Sequence, residues 1–511
     1  MVICNQPTAI QTEHAVVYLT GLFMYGEHQA GNASIRTFMT DFDAGRAKFD
    51  LCTGSYRVRI VYPDRREVYF GDSSGALFWF FDLANGKAFD RPSDVPAARR
   101  SPFFCCLSPF STLRQPIWIC RARSGSLPPS PARFTRNILQ NGKITALEKG
   151  LTPLEQLSGG DDALELYMRR VLKAVGEQER IGCSITAGTD SRAILSHLYA
   201  NGVHPLLSIT GPEDHVDVQI ARKIAAALDE ELIVVSGVPN SPSWISSMER
   251  ETDGQAGVCG AYRLLEQFKT LERRGVTLQF GGVAGEFYKN SFINQDYPRY
   301  GGAPDWERFV KMKVITYDFP KAICGNKLLP AVEQVPKMLL QMVSMHQGAT
   351  KASAYLSAGY RILQARAATL SMMENRHVVT CSPLLERCVV APMLRTNPYR
   401  LEMQSYQRRQ VKSFCPAIMD IPTDRGLTLN PAKMKKEQVK STLFLAKVAA
   451  GRTFRRKKTS GRIDACFAEG LSSPQYREAL QHCKDLGILA PEVQELPAAI
   501  ADRVFALGTI L

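Results

Sequence analysis

A short run of small and hydroxyl-bearing residues, Thr186-Ala-Gly-Thr-Asp-Ser191, carries the clearest chemical signal in the sequence. It follows an apolar stretch typical of a strand and precedes a stretch with helical spacing. Such a turn directs backbone N–H groups and the positive end of a helix dipole at one point, where an anion is stabilised. Thr186 and Ser191 add hydroxyl donors, and Asp190 suits a Mg²⁺ ion that bridges to a phosphate. The alternative is an ordinary strand-to-helix turn with an Asp or Ser cap.

The segments around this turn alternate between predicted strands and predicted helices. The spacing predicts strands over 180–186, 204–210, 232–236 and 276–280, and helices over 161–177, 191–201, 217–228 and 261–274. Strands separated by helices of about ten to fifteen residues predict a parallel, doubly wound sheet. Beyond about residue 300 the chain is predominantly helical by pattern, with amphipathic stretches near 335–347, 353–373, 474–486 and 496–507.

The N-terminal part follows a different pattern. Between residues 10 and 85, apolar and polar residues alternate in runs that turn residues such as Pro63-Asp64 separate. This alternation predicts antiparallel strands and hairpins. Residues 95–147 contain no Asp or Glu and are rich in Arg, Pro and Ser. That composition predicts an irregular connector of low order.

The turn at Thr186–Ser191 resembles the SGGxDS pyrophosphate loop of the PP-loop ATP pyrophosphatases, and Arg192–Leu195 extends the likeness to the asparagine synthetase family within that superfamily. Three further segments resemble that family in the order it requires. They are Gly211–Ala225, similar to the segment after the second strand; Phe280–Tyr288, similar to the GxGADELF turn; and Pro383–Arg387, similar to the PFLD-type segment. Together the likeness covers about residues 180–430.

The N-terminal part resembles the glutaminase-like domain of the same family, on the residues Gly54-Ser-Tyr and Val68–Phe78. A working glutaminase of this kind needs Cys as its first mature residue, with its own α-amine as the base. Here Val2 holds the second position, and Cys4 would become first only after removal of three residues. We therefore expect a silent glutaminase-like domain with a structural Cys4, a layout that resembles β-lactam synthetases and lasso-peptide macrolactam synthetases.

The resemblance implies an α/β protein with two main parts. An N-terminal β-rich glutaminase-like (Ntn-type) domain precedes a doubly wound parallel-sheet PP-loop synthetase domain, which ends in a helical C-terminal part. The expected boundaries are 1–92 for the degenerate glutaminase-like domain, 93–150 for an irregular basic connector, 151–430 for the synthetase domain and 431–511 for a basic helical C-terminal region.

The activity that the resemblance implies is ATP-dependent, AMP-forming activation of a carboxylate, followed by amide bond formation. The implied cofactors are ATP and Mg²⁺, and the implied partners are a carboxylate substrate and an amine or ammonia donor. A peptide or carrier-protein substrate and a homodimer stay open. The implied ATP-binding residues are Thr186, Ala187, Gly188, Asp190, Ser191, Ser208, Ile209 and Gly281, and the implied metal ligands are Asp190 and Glu286.

The sequence departs from the family pattern where the amide would form. Gly282 and Gly285 stand where the family commonly has acids, which leaves Glu286 either as a metal ligand or as a residue favoured by the helix dipole. Asp424 stands where the catalytic lysine is expected. Glu286, Lys412 and Arg425 are therefore the candidate catalytic residues. These departures favour an alternative, a catalytically impaired scaffold of the same fold.

The charge of the chain favours acidic partners, because 63 Lys and Arg exceed 49 Asp and Glu, for a net charge of +14. Many late basic residues lie between Lys433 and Lys458. They predict either a solvated helix face or a surface for an acidic peptide, a phosphorylated substrate or RNA. A PP-loop tRNA-modifying enzyme is thus a second alternative. The scarcity of interleaved aromatic residues argues against an RNA-binding platform.

Other sequence features bound the environment. No uncharged apolar run reaches the length of a membrane span, and no signal peptide is recognised, so we expect a cytoplasmic protein that does not contact membranes. The 13 cysteines include no CxxC pair, which predicts reduced, buried thiols. The 8 histidines form no zinc motif, and His197 is predicted to pack in a core.

Overall fold

Two β-sheets organise the part of the chain that the structure describes. The computed structural model describes residues 3–94 and 135–508, apart from 29, 76, 78, 83–84, 92–93, 178, 238, 240–242, 255, 298–299, 316–319, 347, 434, 436, 438 and 440–464. The N-terminal sheet is antiparallel with six strands, and the second sheet is parallel with five strands. The predicted mixed α/β class is therefore confirmed at this level.

Residues 3–94 and 135–148, as far as the structure describes them, contain ten strands and one α-helix. They are β1 (Ile3–Gln11), β2 (Val16–Leu22), β3 (Met24–Tyr25), α1 (Asn32–Asp43), β4 (Cys52–Thr53), β5 (Tyr56–Val61), β6 (Glu67–Gly71), β7 (Phe80–Asp82), β8 (Lys87–Phe89), β9 (Thr135–Gln140) and β10 (Lys143–Glu148). The large sheet has the order β1-β2-β5-β6-β9-β10, with β3-β4 and β7-β8 as separate ribbons.

An aromatic cluster joins helix α1 to this sheet. Phe38 of α1 contacts the rings of Phe23, Phe49 and Phe70 at centroid distances of 5.4–5.7 Å. Edge-to-face contacts of this kind add to the free energy of burying the rings. The alternating pattern of β5 and β6 turns their apolar residues toward this cluster, as the sequence predicts.

The hairpin β9–β10 corrects the expected boundary of the connector. Residues 135–148 were assigned to an irregular connector, but they pair with each other, and β9 pairs with β6 in the antiparallel sheet. Asn141 and Gly142 form the turn with positive φ angles of 50° and 73°. Asn-Gly is the strongest short-range signal for a hairpin, and it determines the local structure here despite the composition of the surrounding segment. Residues 95–134 of the predicted connector lie outside the described residues.

The parallel sheet has the strand order β13-β12-β11-β14-β15. Its strands are β11 (Ile181–Ser184), β12 (Leu206–Thr210), β13 (Leu232–Val235), β14 (Leu278–Phe280) and β15 (Val379–Cys381). The chain runs outward from β11 through β12 to β13 and then returns to place β14 on the other side of β11. The strand order therefore reverses between β11 and β14.

Helices connect and cover these strands. They are α2 (Ala163–Val175), α3 (Asp190–Ala200), α4 (Val216–Leu228), α5 (Trp244–Thr252), α6 (Val258–Arg273), α7 (Trp306–Phe309), α8 (Leu329–Ser344), α9 (Lys351–Glu374), α10 (Arg387–Arg395), α11 (Ser405–Phe414), α12 (Ala465–Ser472), α13 (Pro474–Asp485) and α14 (Ala498–Gly508). The predicted strands and helices of residues 161–280 and the four later helices match these within a few residues. Strand β15 was not predicted, because three residues carry too little periodicity.

The C-terminal helices pack against α6, which the sheet also contacts. Asp502 of α14 accepts hydrogen bonds from the backbone N–H groups of Cys259 and Gly260 at 2.7 and 3.0 Å. A carboxylate at this place satisfies unpaired donors of the first turn of α6 and interacts favourably with its dipole. Of the predicted basic cluster, residues 436, 440, 452 and 455–458 lie outside the described residues.

Nine cysteines of the described part are free thiols, and seven of them are buried, as the sequence predicts. Val2 and the side chain of Cys4 lie outside what the structure describes. None of the helices in the described ranges combines the length and the apolar composition that crossing a bilayer requires.

Candidate functional site

The turn after β11 sits at the carboxyl edge of the parallel sheet, where the strand order reverses. In open α/β sheets, ligands bind outside the carboxyl ends of the strands at such a switch point. The loop after β14, which begins at Gly281, lies beside it: a Cβ built on Gly282 would come within 2.6 Å of the Ser191 nitrogen. The topology thus brings together two of the motifs that the sequence singles out.

The backbone donors of the first loop already have acceptors within the chain. The N–H of Thr186 donates to Ser191 Oγ at 3.2 Å, and that of Gly188 donates to Thr186 Oγ1 at 3.1 Å. The N–H of Ala187 donates to a carboxylate oxygen of Asp217 at 3.1 Å. Oxygen atoms of the chain therefore occupy these donors, and a bound anion would take the place of those oxygens. Thr186 is exposed and Gly188 is half-buried, so the loop is open to solvent.

Asp190, the first residue of α3, is held by two nitrogen donors. Lys289 Nζ lies 2.7 Å from Asp190 Oδ2, and Gln407 Nε2 donates to Asp190 Oδ1 at 2.9 Å. Gln407 also approaches the carbonyl oxygen of Gly285 at 3.4 Å. Three separate segments, the start of α3, the loop after β14 and helix α11, thus meet at one carboxylate.

Two glycines allow the loop after β14 to approach α3 this closely. A Cβ on Gly285 would lie 1.9 Å from Asp190 Cγ, and one on Gly282 would lie 2.8 Å from the Asp190 carbonyl carbon. Contacts this short require the neighbouring atoms to move. At the places where the resemblance expects acids, a side chain would therefore require Asp190 or the start of α3 to move.

The side chain of Arg192 holds the loop in place through hydrogen bonds to backbone carbonyl oxygens. Its guanidinium is fully buried and donates to the carbonyl oxygens of Ile421, Pro422 and Ala187 at 2.6, 2.8 and 3.2 Å. Burial lowers the pKa of Arg192 to about 10, although Asp424 acts in the opposite direction. The group therefore stays protonated at neutral pH and joins the loop to residues 421–424.

Ser208 and Ile209, two of the predicted ATP-binding residues, lie in β12 with buried side chains. Ser208 Oγ accepts from Gln267 Nε2 at 2.7 Å and from Gln279 Nε2 at 3.2 Å, and its carbonyl oxygen accepts from the Ile185 N–H at 3.0 Å. These groups hold the sheet together. Only the end of β12, at the half-buried Thr210, reaches the open edge.

The predicted catalytic residues are exposed. Glu286 belongs to a short turn of 3₁₀-helix after Gly285, Lys412 lies on α11 and Arg425 lies in the turn after Thr423. Helix α11 reaches the site through Gln407, and residues 421–422 reach it through Arg192. His197 is buried, and its Nε2 lies 2.8 Å from Gln410 Oε1. Burial lowers the pKa of His197 to about 4, which fits the predicted packing role.

The predicted metal ligand Asp190 has nitrogen partners in the structure. Mg²⁺ requires oxygen ligands in near-octahedral geometry, and both oxygens of Asp190 accept from nitrogen donors instead. Within the described ranges, no group of three or more His, Cys, Asp or Glu side chains is arranged to hold a metal ion. A side chain at Gly282 or Gly285 would contact Asp190 or the backbone at the start of α3.

Three residues of the site are not among those that the sequence predicts. Lys289 and Gln407 lie 99 and 217 positions from Asp190 along the chain, and nothing in their local pattern indicates this meeting. Asp217 carries only a weak sequence signal of a functional role. It lies at the start of the helix after the second strand, within the resembling segment Gly211–Ala225. The structure identifies Lys289 and Gln407 by their contacts with Asp190, and Asp217 by its contact with the Ala187 N–H.

A cavity of about 790 Å³ lies at the opposite edge of the parallel sheet, lined by Arg180, Ile181, Pro205, Leu206 and Glu230 among others. These residues begin or precede strands β11, β12 and β13. Since ligands of open α/β sheets bind at the carboxyl edge, this cavity is separate from the predicted site.

A buried polar cluster joins the two sheets. Glu386 accepts from the Gly54 N–H at 3.0 Å and from the Tyr167 hydroxyl at 3.1 Å. Burial raises the pKa of Glu386 to about 7, and the charge of Asp72 acts in the same direction. The predicted family motif at Gly54 and Asp72 therefore lies at the junction between the two parts.

Comparison with known protein families and with curated proteins finds no match to this chain.

Proposed function

We propose that the chain binds ATP at the carboxyl edge of its parallel sheet and uses it to activate a carboxylate for amide bond formation. The observation that carries the proposal is the convergence of the Thr186–Ser191 turn and the loop after β14 at the strand-order reversal. This is the place where α/β sheets bind nucleotides. The resemblance to the asparagine synthetase family supplies the reaction.

The first proposed step is attack of a carboxylate oxygen on the α-phosphorus of ATP. The bond from that phosphorus to the bridging oxygen breaks, and pyrophosphate leaves with the electron pair. The open loop and the N-terminus of α3 are suited to stabilise this developing charge, because the helix has 11 residues and its dipole points at the loop. Thr186, Gly188 and Ser191 are the proposed contacts.

The second proposed step is attack of a neutral amine on the acyl carbon, which forms the amide and releases AMP. A base must accept the amine proton, and a cation must stabilise the tetrahedral oxyanion. Glu286 is the proposed base, since its carboxylate is exposed beside the loop. Lys412 and Arg425 are the proposed cations, since both are exposed on segments that contact the site, through Gln407 and Arg192 respectively.

A second candidate function is nucleotide binding without amide formation, as a scaffold of the same fold. The specific observation that favours it is the engagement of both Asp190 oxygens, with Gly282 and Gly285 in place of acids. A protein of this kind would bind ATP and release it unchanged. The RNA-modifying alternative gains no observation, because most of its basic residues lie outside the described ranges.

Calorimetric titration with ATP tests the nucleotide proposal. Gly188→Val places a branched side chain over the loop and is expected to weaken ATP binding at least about tenfold. Gly301→Val is the matched control, because a Cβ there meets no atom within 4 Å. Equal affinity of Gly188→Val and wild type, or no binding of ATP at millimolar concentration, would contradict the proposal.

Exchange of labelled pyrophosphate into ATP separates the ligase from the scaffold. The assay offers the twenty amino acids and short dicarboxylic acids in turn, each with and without MgCl₂. Exchange that depends on one carboxylate supports the ligase. ATP binding without any exchange supports the scaffold.

A further inference from the structure

The strongest unassigned feature at the site is the fixed ammonium of Lys289. Its Nζ lies 2.7 Å from Asp190 Oδ2, and the two side chains are 22% and 20% exposed. Lys289 directly follows the turn Gly285–Tyr288, so the loop after β14 determines its position. The ammonium thus stands at the start of α3, beside the loop proposed to hold phosphates, and stays accessible to a ligand.

The surroundings of Lys289 favour pairing of Asp190 with nitrogen donors over coordination of a divalent cation. A carboxylate side chain at position 285 would displace the side chain of Asp190, because a Cβ on Gly285 would lie 1.9 Å from Asp190 Cγ. Gln407 is fully buried and occupies the second oxygen of Asp190 with its amide. One carboxylate and one ammonium balance each other at this point, where a cluster of carboxylates would require a metal ion.

We propose that Lys289 takes the place of the metal ion, so that this chain binds the polyphosphate of a nucleoside triphosphate without Mg²⁺. This inference rests on the proposed ATP-binding function. Lysine binds phosphate as a point charge and can turn from Asp190 to a phosphate oxygen on its flexible stem. Because Asp190 is then released from its ammonium partner, Gln407 keeps that carboxylate in place through its amide hydrogen bond.

The test compares ATP affinity in EDTA with ATP affinity in MgCl₂, by calorimetry on the full chain. Wild type is expected to bind ATP in EDTA within about threefold of its affinity in MgCl₂. Lys289→Gln is expected to weaken binding in EDTA at least about tenfold, and Lys289→Arg to retain most of it. Lys321→Gln is the matched control, because Lys321 is an exposed lysine that pairs with a carboxylate, Glu333, at 3.0 Å.

Each outcome decides the question. Binding in EDTA that Lys289→Gln removes supports the inference. Binding that requires MgCl₂, or unchanged affinity of a folded Lys289→Gln, overturns the inference and leaves the ATP proposal standing. Absence of ATP binding in both buffers overturns the ATP proposal and this inference with it. If Lys289→Gln does not fold, Lys289→Met and the EDTA comparison on wild type decide instead.

Discussion

At the scale of single residues, polar groups rather than apolar ones define the loop. Arg192 is buried, yet its guanidinium contacts three carbonyl oxygens, one in its own loop and two in the distant segment 421–422. A buried cation of this kind is stable only while those acceptors surround it. Asp217, by contrast, places a carboxylate against an N–H donor that an anionic ligand would need.

Substitution Arg192→Met should lower the free energy of unfolding by about 3 kcal/mol or more, because it leaves three carbonyl oxygens without their charged donor. Urea denaturation measures the change. Arg409→Met serves as the control, since Arg409 is half exposed, lies 3.8 Å from Asp161, and should cost no more than about 0.5 kcal/mol. A loss at Arg192 no larger than that of the control would show that the contacts are not important for stability.

Substitution Asp217→Asn should tighten ATP binding about threefold or more, because it removes a negative charge that competes for the Ala187 N–H. Titration at low ionic strength measures the effect. Asp214→Asn removes the same charge from an exposed position in the preceding loop and should have a smaller effect. Weaker binding by Asp217→Asn would instead make the carboxylate part of the ligand contacts.

At the scale of elements, the reversal of strand order places β14 next to β11 and brings their two loops together. Helix α11 completes the arrangement, because Gln407 reaches Asp190 from a third direction. The closeness of these elements depends on glycine, since a single added carbon at Gly285 would overlap the Asp190 carboxyl group.

Substitution Gly285→Ala should therefore destabilise the protein by about 1–3 kcal/mol and weaken ATP binding, because the loop must move away from α3. Gly285→Asp, which restores the acid of the resembling family, should do the same. Gly281→Ala provides the stability control, since a Cβ there meets no atom within 4 Å. Thermal unfolding with and without ATP measures both effects, and an unchanged Gly285→Ala protein would disprove the crowding argument.

At the scale of the whole molecule, polar contacts connect the antiparallel and the parallel parts. Arg91 and Arg376 both pair with the buried Asp253, which lies between α5 and α6. Glu386 connects Gly54 of the N-terminal part to Tyr167 of α2. The pKa of Glu386 is raised from 4.5 to about 7, chiefly by burial.

This shift predicts how stability depends on pH. Between pH 4.5 and about 7 the folded protein keeps a proton on Glu386 that the unfolded chain has lost. The contribution of Glu386 to the free energy of unfolding should therefore fall as the pH rises through this window, by about 1.4 kcal/mol per pH unit. Urea denaturation from pH 5 to pH 8 should find that the difference in free energy of unfolding between wild type and Glu386→Gln changes by this slope. Glu13→Gln, at an exposed side chain, should retain the wild-type slope. A Glu386→Gln curve parallel to wild type would exclude this group as the origin.

Local pattern determined the secondary structure of the parallel sheet and the position of its first loop. Small residues between an apolar strand and a helix-forming sequence are typical of a strand-to-helix turn, so β11, the loop and α3 were predictable from adjacent residues. The dipeptide Asn141-Gly142 is an equally strong local signal for a hairpin, although the composition of the surrounding segment predicts an irregular connector. Helix α1 and the three-residue strand β15 were not predicted.

Tertiary structure alone decided what surrounds Asp190. Lys289, Gln407 and Gly285 all lie about a hundred or more positions from Asp190 along the chain. Only the strand-order reversal and the packing of α11 bring them together. Sequence pattern predicts a carboxylate in that loop and its suitability for a metal ion. Only long-range packing shows that Lys289 and Gln407 contact it, because electrostatic pairing depends on distances in space that separation along the chain does not specify.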